Sequence, residues 1–506
     1  YQARFVARHA EERQDMNANS KPMSRVDTAW LRMDSDVNLM MIVGVWLLRP
    51  AIRHDALCER IRERLLKYER FRQKVVQGAL GSQWVDDEHF DLDRHVVVEK
   101  LRRRRGQSER AALQQRMGEL ASTPLDHDRP LWQFELIEHH GDGSALICRI
   151  HHCIGDGVAL NSVMLSLGDG GSEPPELARR DADPHETHLE DWIADELLRP
   201  LTGLTVKAID LYGQGLVQAL KVIGHPRRAL RDAYGLAREG RQLLDDVAAM
   251  ALMPDDSPTR LKGHGSGRKR VAWCEPLPLD EVKAVGKALG ASVNDVLLCA
   301  AAGAIGRWLG DSGDDPADKD IRALVPVNLR PLEQAWQLGN RFGLVPLLLP
   351  VGTANPLQRL RTVNQRMTAL KTSFQPLLSY GILGVSGLLV QRGQEALAGL
   401  FLDKTTAVMT NVPGPVEALR LCGATVQQSV FWVPSSGDVG VGVSIISYAG
   451  GVQFGLITDE KLCPEPERII ERFALEFEQL LLLALMLPWP EPAAEPRRAR
   501  RGSGQA

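Results

Sequence analysis

The stretch RIHHCIGDGVAL, residues 149–160, sets two histidines side by side and an aspartate four residues after the second. Three readings compete for it: a metal site, a catalytic base with its helper, or a strand end followed by a helix cap. The flanks favour a strand–turn–helix junction. Upstream, PLWQFELIEHHGDGSALICRIHH (130–152) reads as a hairpin, with WQFELIE alternating, GDG turning and SALICRI running back. Downstream, VALNSVMLSL reads as a helix.

On a strand, side chains alternate between faces. Leu146, Cys148, Ile150 and His152 then share one face, and Ala145, Ile147, Arg149 and His151 the other. The arginine marks the second face as wetter, so His152 is expected to point into an apolar interior or cleft and His151 away from it. Burial lowers the pKa of an imidazole, and a neutral imidazole near pH 7 is what a general base requires. Asp156 could brace the turn, pair with an arginine, orient a ring, or simply cap the following helix. His152 could equally be a satisfied core histidine. The HHxxxDG string at such a junction favours function.

A metal site is not expected: adjacent strand residues point apart, and neither CxxC nor HExxH occurs. All thirteen histidines precede residue 265, and His185 and His188 in DADPHETH (181–188) read as a solvated face. There is no GxSxG elbow and no Walker loop. GHGSG (263–267) reads as a flexible loop rather than a dinucleotide fingerprint.

With 506 residues, two domains or a duplicated architecture are expected. Hydrophobic residues at 44% and charged residues at 25% fit a globular protein, and a net charge of −3 gives no global field for nucleic acid. Seven scattered cysteines argue for a reducing cytosol and against a disulfide frame. Residues 1–22 read as a polar, flexible leader without a secretory signal. The uncharged run TSFQPLLSYGILGVSGLLVQ (372–391) has spanning length, but its proline, serines and glycines favour a buried or interfacial helix. LLLLALMLPWP (480–490) is too short to span.

An N-terminal unit is expected over 23–178, containing the short helix RVDTAWLRM, the strand LMMIVGVWLL and an amphipathic helix over 55–75. A helical connection follows over 179–266. A second α/β unit over 267–490 has its own strands, among them IRALVPVNLR, FGLVPLLLPV and TVQQSVFWVP, and a basic disordered tail covers 491–506.

His151-His152-Cys153-Ile154-Gly155-Asp156-Gly157 resembles the signature of the chloramphenicol acetyltransferase-like acyltransferases. Within that superfamily, RPLWQFELIE (129–138), SVNDVLL (292–298), VPVNLR (325–330), GNRFG (339–343), TNVPGP (410–415) and ISYAGGVQFGLITD (446–459) are similar to the bacterial-type wax ester synthase/diacylglycerol acyltransferases. The resemblance implies an α/β (α+β) fold of two acetyltransferase-like domains, each a mixed sheet with helices, and the motif histidine at their junction. It implies acyl transfer from acyl-CoA, a substrate, to a long-chain alcohol or diacylglycerol, with no cofactor, no metal and no nucleic acid. His152 is then the base for direct attack on the thioester, with His151 and Asp156 beside it and Asp156 held by an arginine. Gly157, Asn294 and Asp295 shape the substrate site, and Asn294 is a candidate oxyanion donor. Ser292 and Asp295 also fit a capping box. Pro130, Leu131 and Trp132 are expected to be structural. RKR (268–270) could attract CoA phosphates or be a solvated loop. The implied location is cytoplasmic, peripheral to the inner membrane face or lipid inclusions. Two alternatives remain: an amide-forming condensation enzyme, for which flanking carrier domains are expected and no room is left, and a lipid-binding protein with a dead tunnel.

Overall fold

The expected hairpin lies inside a sheet assembled from both halves of the chain. The computed structural model describes residues 20–78, 81–170, 253–330, 337–370, 404–434 and 438–487, with a few positions between 375 and 382. The helical connection is therefore mostly outside the described residues, as are the tail, most of the leader and most of 372–391. Elements are numbered in chain order over what is described.

The first half opens with β1 (Lys21–Pro22), α1 (Arg25–Arg32) and β2 (Met41–Arg49). Next come α2 (His54–Arg64), β3 (Gln73–Gly78), β4 (Gly81–Asp86), α3 (Leu92–His95), β5 (Val96–Val98) and α4 (Glu109–Ala121). The hairpin β6 (Trp132–His140) and β7 (Gly143–His151) leads into α5 (Gly157–Ser166). The helix expected over 55–75 stops at Arg64. Two short 3-10 turns follow, with Tyr68 extended between them. This break puts Phe71 edge-on against Trp132 at 5.7 Å, where the Phe71 carbonyl accepts from the indole Nε1 at 2.9 Å.

The second half contains β8 (Lys269–Trp273), β9 (Leu277–Pro278), α6 (Leu279–Leu289), α7 (Val293–Asp311), β10 (Ile321–Asn328) and β11 (Phe342–Leu349). It continues with α8 (Pro356–Leu370), β12 (Ala407–Pro413), β13 (Arg420–Leu421), β14 (Ala424–Trp432), β15 (Val441–Tyr448), β16 (Gly451–Asp459) and α9 (Pro466–Leu485). Gly290 ends α6 in the left-handed region at φ 68°, as glycine does at helix C-termini. One sheet runs β11-β10-β12-β15-β16-β8, with β9 on β16. Its central pairs, β10–β12 and β12–β15, are parallel. Parallel strands need both faces covered, and the almost wholly buried α7 packs between this sheet and α8 and α9.

The other large sheet runs β13-β14-β2-β7-β6-β5. The strand expected in the second unit, β14, thus crosses over and pairs with β2, correcting the picture of two self-contained sheets. Val426, Val430 and Trp432 gain burial in the first core by doing so. Gly44, opposite Phe431, permits the approach: a Cβ there would lie 3.0 Å from that of Phe431.

The expectation of a flexible GHGSG loop also changes. The Asp459 carboxylate accepts from the Ser266 and Gly267 amides at 2.9 and 3.0 Å, and its neighbour Lys269, expected on a solvated loop, is partly buried 3.8 Å from that carboxylate. Among the described residues no single helix is long and apolar enough to cross a membrane. Of these, α6 and α7 taken together pass on length and composition, with a bend of 96° between them.

Candidate active site

β7 ends at His151, and the chain turns through His152–Ile154 into α5. The PLW segment holds this strand end. The Leu131 carbonyl accepts the His151 amide at 2.9 Å, and Trp132, 1% exposed, pairs with Ile150. Pro130 and Leu131 are likewise buried.

His152 donates its amide to the Met40 carbonyl at 2.7 Å. Its ring stacks on Trp30, with centroids 4.2 Å apart and planes inclined by 17°, and Phe342 from the second half lies at 5.6 Å. This enclosure strips water from the ring, and desolvation lowers its pKa to about 4. The imidazole is therefore neutral at pH 7. Its Nδ1 is buried and has no hydrogen-bond partner among the described residues.

His151 corrects the sequence reading. It does not face a wetter side: it is 1% exposed, and Arg149 on the same face is buried too. Arg149 is soluble there because it donates to the carbonyls of Leu120 and Thr123 at 3.1 and 2.8 Å and to the Gln133 side chain. His151 Nδ1 accepts the Cys153 amide at 3.1 Å, while Nε2 lies 3.6 Å from Asp34 Oδ2. Asp34 in turn accepts the Met40 amide and faces His127 at 3.3 Å. Burial opposes its charge, but the neighbouring His127 and His151 imidazoles hold its carboxyl well below the usual range.

Asp156 caps α5, accepting the Ala159 amide at 2.9 Å. It orients no ring. Its second oxygen accepts the Arg341 amide at 2.9 Å and pairs with Arg330 at 3.1 Å. Burial raises the Asp156 pKa, while Arg330 and the two amides pull against that rise. Arg330, the last residue of VPVNLR, is the arginine the sequence left unidentified. It also donates to the Gly339 carbonyl at 2.7 Å. Gly339 has φ 124°, which a residue with a Cβ rarely adopts.

A second network went unnoticed in the sequence. Asn340 Nδ2 donates to the His152 carbonyl and to Asp27 Oδ1, both at 2.8 Å. Asp27 is fully buried on α1 and pairs with Arg70 at 3.0 Å. Arg70 reaches on to the Ile154 carbonyl at 2.7 Å. Asn340 and Arg330 lie within quoted motifs, so the signal was present. Asp27 carried only a faint one, a charge inside an otherwise apolar helix face.

Gly157 opens α5, and a Cβ there would meet no atom within 4 Å. Asn294 and Asp295 belong to a different cluster. Ser292 and Asp295 close the expected capping box at 3.2 and 2.9 Å, and Asp295 also accepts from Asn364 at 2.8 Å. Asn294 bonds Asn411 on β12. Neither side chain bonds to His152 or Asp156. Among the described residues no group of three His, Cys, Asp or Glu side chains is placed to hold a metal ion.

Comparison with known families decides what this site belongs to. The model for the wax ester synthase/diacylglycerol acyltransferase catalytic domain matches residues 23–297, and that for the C-terminal domain matches 338–481. The chain belongs to this family. It is an acyltransferase. A Mycobacterium tuberculosis protein named as a diacylglycerol O-acyltransferase is 27% identical over 448 residues, covering 86% of this chain and 90% of the relative. The solved wax ester synthase/diacylglycerol acyltransferase of Marinobacter aquaeolei VT8 matches the fold with a TM-score of 0.62 at 20% identity, over 92% of this chain and all of that one. The first condensation domain of the calcium-dependent antibiotic synthetase matches at 0.53 and 15%, covering 92% and 96%. The two-domain α/β acetyltransferase-like architecture expected from the motifs is thus the fold of this acyltransferase.

Proposed function

We propose that this acyltransferase moves a long-chain acyl group from acyl-CoA to the hydroxyl of a long-chain alcohol or of diacylglycerol, with His152 as general base. The observation that carries this reading is a buried imidazole, stacked on Trp30 of the first half and flanked by Phe342 of the second. The acceptor hydroxyl gives its proton to His152 as its oxygen bonds to the thioester carbon. The tetrahedral intermediate then collapses, the C–S bond breaks, and the imidazolium returns the proton to the CoA sulfur. A positioned base contributes ~100- to 10,000-fold. Negative charge building on the carbonyl oxygen raises the proton affinity of a ring that resists protonation in the free enzyme. No cofactor or metal enters these steps.

Asp156, Arg330, Asn340 and Asp27 hold the base without touching the reacting atoms. His151 supports the same turn through Asp34. The open side of Gly157 leaves room for substrate, while Asn294 remains a candidate oxyanion donor. A lipid acceptor fits a cytoplasmic protein working at the inner membrane face or at lipid inclusions.

The test is CoA release from palmitoyl-CoA with hexadecanol, diacylglycerol or an amine as acceptor, for the native chain and for His152→Ala. Loss of at least ~100-fold with both hydroxyl acceptors supports the base assignment. Native rates in the variant overturn it, and preference for the amine moves the chain to the condensation chemistry.

A further inference from the structure

The segment EKLRRRR, residues 99–105, puts five cations into six positions from Lys100 to Arg105 in a chain whose net charge is −3. It follows β5 at the edge of the six-stranded sheet, where the Glu99 amide bonds the Leu136 carbonyl at 3.0 Å. That end of the sheet is remote from the base. Ile137 pairs with Ala145, seven residues before His152, so roughly 20 Å of strand separates them.

Four of these cations are uncommitted. Arg103 pairs with Glu109 at 3.1 Å, but Lys100, Arg102, Arg104 and Arg105 are exposed and form no ion pair among the described residues. Of the acids nearby, Glu119 faces Arg116 at 3.4 Å and Arg116 is locked onto the buried Glu135, which leaves Glu99, whose Oε1 accepts the Lys100 amide at 3.3 Å, against four cations. The segment rims a cavity of about 460 Å³, with Arg102–Arg104 on one side and Gln115 of α4 on the other. Apolar residues sit among the charges: Leu101 is half-buried in the cavity wall and Val98 is 44% exposed.

We propose that Val98–Arg105 is a docking surface for an anionic lipid interface. Clustered, solvated arginines beside the exposed Val98 and the half-buried Leu101 match a surface of phosphate headgroups over acyl chains. This inference rests on the reading that the acceptor is lipid-borne, and it gives that acceptor a route of approach. Attraction to such a surface falls off within a Debye length, so it must weaken with salt.

The test is co-sedimentation of the full chain with vesicles of phosphatidylcholine alone and of phosphatidylcholine with phosphatidylglycerol. The native chain is compared with the triple variant Arg102→Ala/Arg104→Ala/Arg105→Ala and with Leu482→Ser/Leu485→Ser at the exposed end of α9. Each charge at such a surface contributes about fivefold, so the triple variant should lose about 100-fold in partitioning to the anionic vesicles. CoA release on a water-soluble donor and acceptor should stay at the native level in the triple variant. Equal binding to both vesicle types, no loss in the triple variant, loss only in the α9 variant, or tighter binding to single-stranded RNA than to the anionic vesicles would each overturn the proposal. Vesicle binding as expected with no CoA release on any acceptor would sink the functional reading and leave the docking surface standing.

Discussion

Asn340 binds the carbonyl of His152 through the same side-chain nitrogen that it offers to Asp27, at 2.8 Å in each case. One amide from the second half thus ties the candidate base to a buried carboxylate on α1 in the first half. Asn340→Ala should lower kcat with little change in KM, because the residue acts through the position of His152. Asn340→Asp should do more damage. It would set a second carboxylate against Asp27 in a site without water, and an unpaired buried charge costs ~3–5 kcal/mol. Thermal unfolding separates the two. An Asn340→Asp protein as stable as native would show that the site admits water.

Arg330 and Asp156 form a second clamp between the halves. Arg330→Met should leave the Asp156 carboxylate buried with only backbone donors, again costing ~3–5 kcal/mol. The group's pKa is already raised, so the sign is fixed. Stability attributable to Asp156 is present below its unfolded value and is lost as pH rises, and removing Arg330 should steepen that loss. Asp156→Ser keeps an N-cap oxygen without the charge. Added to Arg330→Met, it should recover part of the stability, which a double-mutant cycle by denaturant unfolding would measure. Strictly additive losses would refute the pairing.

His152 and His127 should tilt the stability–pH curve in opposite directions. The folded pKa of His152 is depressed to about 4, so the unfolded chain binds more protons than the folded one between that value and about 6.5. Its contribution is lost as pH falls through that window, in total about 3 kcal/mol. His127, raised by its hydrogen bond to Asp34, contributes below the unfolded value and loses that contribution as pH rises through its folded one. His152→Asn should flatten the acid side of the curve and His127→Asn the neutral-to-alkaline side. NMR titration of the two imidazoles gives the direct reading, and a His152 pKa near 6.5 would contradict the desolvated site.

The sequence made the junction readable because strand alternation, the turn and the helix cap are local, and each has its own residue signature. It misread the surroundings wherever partners come from far away. Arg149 looked like a marker of solvent, yet two carbonyls and a glutamine accept its hydrogen bonds inside the core. TVQQSVFWVP read correctly as a strand, but nothing local says which sheet a strand will join, and burial of Val430 and Trp432 takes it across to β2. Arg330 and Asn340 lie in recognisable motifs, but nothing in those strings says what the two side chains will pair with. Their roles exist only once residues 156 and 330 are adjacent.

Gly157 offers a test that separates packing from function. A Cβ at this position would touch nothing within 4 Å, so packing does not require glycine. Alanine relieves the backbone entropy cost of glycine in a helix and should leave stability unchanged or raise it by up to ~1 kcal/mol. The space in front of Gly157 is then free for substrate or for nothing. If substrate uses it, Gly157→Leu should keep the native Tm while kcat/KM for long-chain acceptors falls at least tenfold, with a smaller loss for short ones. Unchanged kcat/KM across chain lengths would remove Gly157 from the substrate site and leave it as the first residue of a well-capped helix.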